Sequence, residues 1–584
     1  MSNFYKQLAN LSPEQRKLFE QKLKEKGLNQ TASVKLTIPA RTSSDNLPLS
    51  FAQQRLWFVQ QLDPNNAAYN MMGVLKLTGD LNSDLLIQSI NAIALRHETL
   101  RTSFSLNTDN EAIQVIHQQP VIDYAEYDFS VINKEKENNE KEKNQQAHQL
   151  IKQNAFQPYD LSKPQLRVTL IKTAPNEHLL ALGTHHISSD RWSFNVFIRE
   201  LGIIYHSLKQ QMPSPLSDNA IQYADWALWQ REQLSGDKLA QQLHYWQEKL
   251  AAPRAITEMP TDKPRQQLAS FRGAQYPVSL PESLSNALRA LASEKKITLY
   301  TLLLAAFNVL VHRYTSLNDI LVGSEVANRD RNETQNMMGP LVNTLVLRND
   351  LSGNPRFSDF LDQVSKTVRE AMARQDVPFE KLVEALNPER QLSQISPLFQ
   401  LKFDLQHTEL KPFELDGLTL ERYPLADQNT KYELRFNLQD LTQGIGGQIE
   451  YARDLYSEKQ IQALLSHYTA LLQSIVKNPA TTIGNLALMP AQELEQVINQ
   501  WNQTQAPYPA ERAVHQLIEE QVEKTPTAIA ISDGDQTISY QALNQRANQL
   551  AQQLMAQDIS EGKLVGILLP PSAEALIGIL AVIK

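Results

Sequence analysis

Along most of this chain, stretches in which apolar residues have helical spacing alternate with stretches in which they have strand-like spacing. Residues 85–97 have the spacing of an amphipathic helix, and residues 179–183 form the short apolar run typical of a buried strand. A second such stretch follows, with a predicted buried helix over 297–314 and predicted strands over 319–323 and 341–348. The pattern therefore predicts an α/β protein with two mixed halves, and no clear sequence repeat relates them.

Shifts in composition divide the chain into five segments. We predict an N-terminal helix with a polar linker, two halves of one domain, a second linker, and the start of another domain. Their bounds are 1–45, 46–215, 216–489, 490–510 and 511–584. Ser12 and Gly27 are the expected cap and end of the first helix. The low-complexity run 133–146 is predicted to be a solvated loop or helix edge, and the Trp-rich stretch 223–250 a helical connector.

The last segment has its own α/β pattern. A predicted strand over 528–532 leads into Asp533-Gly534, which is a strong hairpin turn. A helix over 540–557 and a strand over 564–569 are predicted next. The sequence stops inside an apolar helix, so we expect this last domain to be incomplete.

Composition excludes several classes of protein. The chain has 584 residues, of which 42% are hydrophobic and 21% charged, and its net charge is −8, which does not favour binding to nucleic acid or membrane surfaces. It contains no cysteine, so disulfides, Cys-ligated zinc and a Cys nucleophile are excluded. The N-terminus lacks the pattern of a signal peptide, and the most apolar run, 302–311, is too short to span a bilayer. A cytoplasmic location is the simplest expectation.

The candidate chemistry is concentrated in His185-His186-Ile187-Ser188-Ser189-Asp190. Because side chains alternate along a strand, one of the two histidines can face a cavity while the other packs behind it. Neutral imidazole can accept a proton near pH 7. Structural histidines and a metal site are the alternatives, although neither an HExxH spacing nor a third ligand is nearby. Asp190 could cap the next helix or hold an internal arginine.

Several segments resemble the motifs of the condensation domains of nonribosomal peptide synthetases, and they occur in the family's order. HHISSDR (185–191) resembles the family motif HHxxxDG. The others are SFAQQRLWF (50–58), RHETLRTSF (96–104), YADWALWQR (223–231), VGSEVANR (322–329), MGPLVNTLVLR (338–348), RQDVPFE (374–380) and SPLFQ (396–400). Near the end, ISYQALNQRANQLAQQL (538–554) resembles the first core motif of adenylation domains.

The resemblance implies two chloramphenicol-acetyltransferase-like lobes in a V, with the active site between them. It implies peptide-bond formation between a donor and an acceptor thioester, each on the 4′-phosphopantetheine arm of a carrier protein, and no cofactor bound by this chain. His186 is the expected proton acceptor or orienting group, and His185 and Asp190 are expected to hold the site together. Arg329 is one candidate partner for Asp190. The residues expected to bind substrate are Arg191, Trp192, Ser193 and Asn343.

Three residues depart from the family motifs. Arg191 occupies the position of the motif glycine, and Ser324-Glu325 replace the usual Thr-Pro. For Arg191 we weigh two hypotheses. Its guanidinium could lie on the acceptor side of the active site and contact the arm or an acceptor carboxylate or carbonyl. Alternatively, it is a surface residue in the first turn of a helix.

Related activities are less favoured by the sequence. Ser189 resembles members that join an L-configured donor to an L-acceptor. Epimerisation domains share the two histidines but are not usually followed directly by an adenylation domain, and cyclisation domains have Asp in place of both histidines. A docking platform without catalysis is disfavoured by the intact His185, His186 and Asp190.

We predict that this chain does not activate amino acids with ATP. The Gly- and Thr-rich phosphate loop of adenylation domains, whose backbone would hold the nucleotide phosphates, is absent from the sequence. Amino-acid-dependent pyrophosphate exchange measures this reaction directly. Exchange above the level without amino acid would contradict the prediction.

Overall fold

The chain divides into two compact units, Met1–Pro490 and Ala491–Lys584. The computed structural model describes residues 38–130, 139–252, 254, 256–265, 272–386, 396–406, 414–415, 417–423, 428–430 and 432–584. The predicted N-terminal helix, with its cap Ser12 and its end Gly27, lies outside these described residues.

The first half of the larger unit is a six-stranded sheet with helices on both faces, accompanied by a small three-stranded sheet. Its helices are α1 (Phe51–Leu62), α2 (Ser83–Arg96), α3 (Asn139–Phe156) and α4 (Arg191–Lys209), with a 3-10 turn at Glu98–Arg101. Its strands are β1 (Leu47–Pro48), β2 (Asn70–Gly79), β3 (Thr102–Leu106), β4 (Ala112–Ile116), β5 (Ile122–Asp128), β6 (Leu166–Ala174) and β7 (Glu177–His185). The predicted helix over 85–97 and strand over 179–183 thus correspond to α2 and β7.

The second half contains a seven-stranded sheet. Its helices are α5 (Tyr223–Gln233), α6 (Gly236–Lys249), α7 (Glu282–Glu294), α8 (Leu299–Thr315), α9 (Asn332–Gln335), α10 (Phe357–Met372), α11 (Phe379–Leu386) and α12 (Glu458–Lys477). Its strands are β8 (Arg272–Ser279), β9 (Asp319–Val326), β10 (Asn343–Asp350), β11 (Leu401–Gln406), β12 (Glu414–Leu415), β13 (Leu418–Arg422), β14 (Gln428–Asn429), β15 (Leu434–Leu441) and β16 (Gly444–Ala452). The helix predicted over 297–314 and the strands predicted over 319–323 and 341–348 correspond to α8, β9 and β10.

The second half contributes two strands to the sheet of the first half. The larger sheet has the order β10-β9-β11-β15-β16-β8-β14, and the six-stranded sheet has the order β12-β13-β2-β7-β6-β5. β13 pairs antiparallel with β2, with Leu420 opposite Leu77, so a stretch late in the sequence completes the first sheet. The predicted boundary at residue 215 does not anticipate that β13 joins the first sheet, because strand pairing depends on contacts between residues that are distant in sequence.

Burial of apolar residues explains how the layers form. Leu302–Val311 of α8 are all buried, and they pack with α10 and α12 on one face of the seven-stranded sheet. α2 and α4 cover one face of the six-stranded sheet, and Ile151 of α3 packs on the other. Among the described residues no single helix is long and apolar enough to cross a membrane, and only α7 and α8, which meet at 108°, pass that test as a pair.

The smaller unit contains a hairpin and a few helices. They are α13 (Ala491–Glu495), α14 (Val514–Lys524), β17 (Ile529–Asp533), β18 (Gln536–Ser539), α15 (Tyr540–Met555) and α16 (Ala573–Ile583), with a π-helical turn at Gln496–Gln500. The hairpin predicted at Asp533-Gly534 is present, and Gly534 has the positive φ of +58° that this turn needs.

One predicted element is wrong, and two others have more detail in the structure than the sequence indicated. The strand predicted over 564–569 is wrong: this stretch is neither helix nor strand, Leu564 and Leu568 are fully exposed, and no neighbouring strand pairs with it in the described part of the chain. Apolar composition alone does not make a strand when no partner satisfies its backbone. The connector 223–250 is two helices that break at Ser235, and the predicted linker 490–510 begins with the short helix α13.

Gly339 is a position where only glycine fits. Its φ is +146°, and a Cβ atom there would lie 2.0 Å from Cδ2 of the buried Tyr223. Gly339→Ala combines this clash with backbone strain, so we expect a loss of about 3 kcal/mol or more of stability. At Gly353 φ is +78° and no atom lies within 4 Å, so Gly353→Ala should cost only about 1–2 kcal/mol. Thermal denaturation of the two variants measures the loss of Tm in each, and equal losses would contradict this explanation.

Candidate active site

The histidine motif lies in a tight turn directly after β7. His185, the last residue of that strand, is fully buried, whereas His186 is half-buried. The backbone N–H of His186 donates to the carbonyl oxygen of Tyr69 at 2.9 Å. The two rings therefore lie in different environments, with His186 the more accessible of the two.

His185 stabilises the turn from behind. Its Nδ1 accepts a hydrogen bond from the backbone N–H of Ile187 at 3.1 Å, and its ring centroid lies 6.2 Å from that of Tyr159 and 6.4 Å from that of Tyr69. A ring nitrogen that accepts a backbone N–H carries no proton, so neutral His185 is the Nε2–H tautomer. His185 is therefore buried and bonded to the turn, which indicates a structural role.

Side chains from other motifs bind the backbone of the same turn. Gln53 Nε2 donates to the carbonyl oxygen of Ile187 at 3.3 Å, and Thr99 Oγ1 donates to that of Ser188 at 2.9 Å. Ser188 Oγ in turn donates to Gln165 Oε1 at 2.9 Å. The motifs at 50–58 and 96–104 therefore hold the histidine turn from two directions.

Asp190 links the two halves of the larger unit. Its Oδ1 accepts the backbone N–H of Ser193 at 2.7 Å and so caps α4. Both of its carboxylate oxygens accept from Nη2 of Arg329 at 3.0 Å, and Oδ2 also accepts the backbone N–H of Leu341 at 3.2 Å. The sequence left open whether Asp190 caps a helix or holds an arginine, and in the structure it does both. The Asp190 and Arg329 side chains are 0% and 1% exposed, so this ion pair is dry.

Arg329 distributes its guanidinium donors over α9 and the loop that follows it. Nη1 donates to the carbonyl oxygens of Thr334, at 2.7 Å, and Met337, and Nη2 donates to that of Gly339 at 3.2 Å. The guanidinium also lies 5.7 Å from the ring centroid of Trp192. One arginine thus fixes both Asp190 and the loop that faces it.

Three of the residues expected to bind substrate have polar groups hydrogen-bonded within the protein. Trp192 Nε1 donates to the carbonyl oxygen of Gln335 at 2.8 Å, and the fully buried Ser193 bonds Asp190 and Gly339. Asn343 Nδ2 donates to the backbone of the RQDVPFE motif, at 2.7 Å to Gln375 and 2.6 Å to Val377. These contacts favour a positioning role for Trp192, Ser193 and Asn343.

The face of the seven-stranded sheet that is turned away from the helices carries charged residues. We call Glu325, Lys402, Asp404, Arg435 and Glu450 the charged cluster. Arg435 lies at its centre, with donors 2.8 Å from Glu325, 2.7 Å from Asp404 and 3.5 Å from Glu450. Lys402 is completely buried and pairs with Glu325. The cluster therefore satisfies its charges internally, with Lys402 buried and Glu325 partly exposed to solvent.

Electrostatics connect the charged cluster to the histidine motif. Burial would raise the pKa of Glu325, but the charges of Arg435 and Lys402, with a smaller effect of His186, hold it well below its usual range. Burial lowers the pKa of Arg191, and the charges of Arg435 and Arg422 lower it further, while those of Glu450 and Glu325 partly oppose this. Arg191 is half-buried and occupies the first position of α4.

The sequence analysis missed most of the charged cluster. Ser324-Glu325 were noticed only as departures from a motif, and Lys402, Asp404 and Arg435 were not singled out. A signal was present, because β11 reads LKFDLQ and β15 reads LRFNLQDL, so charged or polar residues alternate with apolar ones. This alternation indicates a strand with one solvated or polar face, but it does not show which strands are neighbours. In the described part of the chain, no group of three His, Asp or Glu residues is placed to hold a metal ion.

Comparisons with known proteins agree with this architecture. The condensation-domain family model matches residues 43–498, and the model for AMP-binding enzymes matches residues 518–584. Tyrocidine synthase 3 of Brevibacillus parabrevis is 35% identical over 548 residues, and gramicidin S synthase 2 of Aneurinibacillus migulanus is 34% identical over 538 residues. The matched regions cover 94% and 92% of this chain but only 8% and 12% of those relatives.

Solved structures show the same fold. A four-domain nonribosomal peptide synthetase bound to AMP and glycine matches with a TM-score of 0.75 and 24% identity, over 92% of this chain and 40% of that one. The first condensation domain of the calcium-dependent antibiotic synthetase, in complex with a substrate analogue, matches with a TM-score of 0.63 and 19% identity, over 77% of this chain and 100% of that one. The chain therefore belongs to the condensation-domain family of nonribosomal peptide synthetases, with a partial AMP-binding segment after the condensation domain.

Proposed function

We propose that this chain forms a peptide bond between two substrates carried as thioesters. The donor is an acyl or peptidyl group and the acceptor is an aminoacyl group, each on the 4′-phosphopantetheine arm of a carrier protein. The observation that carries the proposal is the histidine turn itself: His186 is half-buried, while Gln53, Thr99 and Asp190 hold the turn around it. A rigid turn that presents one imidazole is suited to position an attacking amine.

The reaction needs a proton to leave the acceptor amine. The amine nitrogen attacks the donor carbonyl carbon, the C–N bond forms, and the C–S bond breaks to release the donor arm as a thiol. His186 accepts the amine proton or orients the amine and stabilises the developing charge, and the departing sulfur receives a proton. Because a thioester is already activated, holding the two substrates in place supplies much of the rate acceleration.

The buried residues of the motif support His186 without touching substrate. His185 binds the turn through Nδ1, and Asp190 fixes both α4 and the opposite half through Arg329. A shift of the turn by about 1 Å would misplace the imidazole, which is enough to reduce a rate about a hundredfold. His185, Asp190 and Arg329 are therefore positioning residues.

Peptide-bond formation is favoured over epimerisation by the order of the segments. The AMP-binding match at 518–584 directly follows the condensation match at 43–498, whereas an epimerisation domain is not usually followed directly by an adenylation domain. Ser189 supports an L-configured donor and acceptor. The partners we propose are an upstream donor carrier, a downstream acceptor carrier and the adjoining adenylation domain. An assay with two loaded carriers separates these functions, since only condensation joins the two groups.

We predict that His186→Ala keeps the fold but lowers the rate of condensation about a hundredfold or more, the range expected for loss of a general acid or base. Transfer between two loaded carriers, followed by mass spectrometry of the arms, measures the rate. His244→Ala, at an exposed position on α6, is the matched control and should be unaffected. A folded His186→Ala protein that condenses at the wild-type rate would refute the proposed role.

We predict that Asp190→Asn lowers the stability of the larger unit by about 3–5 kcal/mol, because it leaves the buried Arg329 without its counter-charge. The Tm should fall clearly, and condensation should fall with it. Glu384→Gln removes one member of the exposed Lys381–Glu384 pair and should cost about 1 kcal/mol or less. Similar Tm losses in the two variants would show that the Asp190–Arg329 pair is not essential to the fold.

A further inference from the structure

The end of β2 lies beside the histidine turn. Met71 is directly opposite Thr184 in the β2–β7 ladder, and the backbone N–H of His186 donates to the carbonyl oxygen of Tyr69 at 2.9 Å. Directly opposite residues of an antiparallel pair have their side chains on the same face. Burial alternates in step, because Thr184 and His186 are half-buried whereas His185 between them is fully buried. Met71, Thr184 and His186 therefore share one face of the six-stranded sheet.

A side-chain contact ties Met71 to the turn itself. The hydroxyl groups of Thr184 and Ser189 share a hydrogen bond, and Oγ of Ser189 donates to Sδ of Met71 at 3.8 Å. Ser189 is buried, whereas Met71 is half-buried and keeps an accessible surface. Since diagonal neighbours across an antiparallel ladder are about 7–8 Å apart, Met71 is within reach of a group bound at His186.

Phe194 of α4 lies over the same face of the sheet. A Cβ atom at Gly73 would lie 2.1 Å from Cζ of Phe194, so the tip of the ring occupies the space of a side chain on β2. The backbone N–H of Phe194 donates to the carbonyl oxygen of Asp190 at 3.3 Å, which ties this residue to the capped start of α4. Phe194 is half-buried, as Met71 is. We call Met71 and Phe194 the apolar wall.

Burial along β2 shows where this face is left uncovered. Leu75 and Leu77 follow on the same face and are buried beneath α2 and α4. Towards the histidine turn this cover ends, and both members of the apolar wall remain half-buried. An accessible apolar surface next to a half-buried imidazole is typical of a substrate pocket, in which apolar side chains supply affinity and a few polar groups fix orientation.

We propose that the apolar wall determines specificity by receiving an apolar side chain of the acceptor residue. This inference rests on the proposed function and names the class of acceptor. In that function His186 contacts the acceptor amine, and the acceptor side chain branches from the carbon bonded to that nitrogen. The donor side chain branches from the far side of the carbonyl carbon under attack. The acceptor side chain is therefore the nearer of the two to a wall beside His186.

The chemistry of the two side chains sets the preference. Methionine is unbranched and flexible, so Met71 can adapt to aliphatic and aromatic groups of different shape, and the ring of Phe194 adds a large apolar contact. A charged acceptor side chain would lose its hydration against this surface without gaining a partner. We therefore expect leucine and phenylalanine acceptors to exceed alanine, and aspartate to be the poorest, each by about tenfold or more in kcat/KM.

The test uses one loaded donor carrier and acceptor carriers loaded with alanine, leucine, phenylalanine or aspartate. Met71→Ala and Phe194→Ala should each lower kcat/KM for the leucine and phenylalanine acceptors about tenfold and leave the alanine acceptor within about twofold. Met71→Leu keeps an apolar side chain of similar volume and should keep the wild-type preference. The Tm of each variant checks folding.

Met72→Ala is the matched control. Met72 is the next residue of β2, is also half-buried, and packs on the opposite face of the sheet, in the cluster that contains Ile151 of α3. Its truncation removes the same atoms as Met71→Ala, so it should lower the Tm while leaving the order of acceptors unchanged.

Gly73→Ala tests the apolar wall by crowding it. The added Cβ atom displaces the ring of Phe194, so the variant should lose more kcat/KM with the phenylalanine acceptor than with the alanine acceptor. Combining Gly73→Ala with Phe194→Ala removes the clash, and the Tm of the double variant should lie above that of Gly73→Ala alone.

The outcomes separate this inference from the proposed function. A wild-type protein that uses aspartate as well as leucine would overturn the apolar wall, as would Met71→Ala and Phe194→Ala proteins with the wild-type order of acceptors. A panel of donors run with one acceptor provides the alternative: if these variants change the order of donors instead, the assignment to the acceptor is wrong. A wild-type protein that forms no product from any pair of loaded carriers would overturn the proposed function.

Discussion

The ion pair between Asp190 and Arg329 is the contact on which the rest of the site depends. Burying two charges is expensive, and such a pair is maintained only when its geometry is good and its remaining donors and acceptors are satisfied. Here Asp190 also caps α4 and accepts from Leu341, while Arg329 donates to Gly339 and the loop before it. One dry contact therefore aligns the helix that follows the histidines with the opposite half of the unit.

The motifs of the sequence make physical sense as parts of one hydrogen-bond network. Ser50 and Tyr223, which are 173 residues apart in sequence, share a hydrogen bond of 2.7 Å, and Tyr223 continues to the carbonyl oxygen of Pro340. Asn343 then fixes the RQDVPFE segment, from which Glu380 reaches back to Arg55 of α1. Buried polar groups of this kind are costly unless every member is bonded, so each motif limits what its neighbours can be.

The two faces of the seven-stranded sheet carry different kinds of side chains. Phe403 and Phe436 lie in the core beneath α8, whereas Lys402 and Arg435, one residue earlier on the same strands, point to the opposite face. Because side chains alternate along a strand, one face of this sheet contributes to the hydrophobic core and the other carries the charged cluster.

The sequence by itself determined the elements and the family. Local spacing of apolar residues was enough to locate α2, β7 and α8, since that spacing records which face of each element is buried, and the ordered motifs were enough to indicate a condensation domain. Only the tertiary structure decided how those elements meet. It brought β13 beside β2 in the first sheet, joined Asp190 to Arg329, and left 564–569 without a partner strand among the described residues. The reason is physical: strand pairing and charge pairing act between groups that are near in space, and a linear pattern records only which faces are apolar.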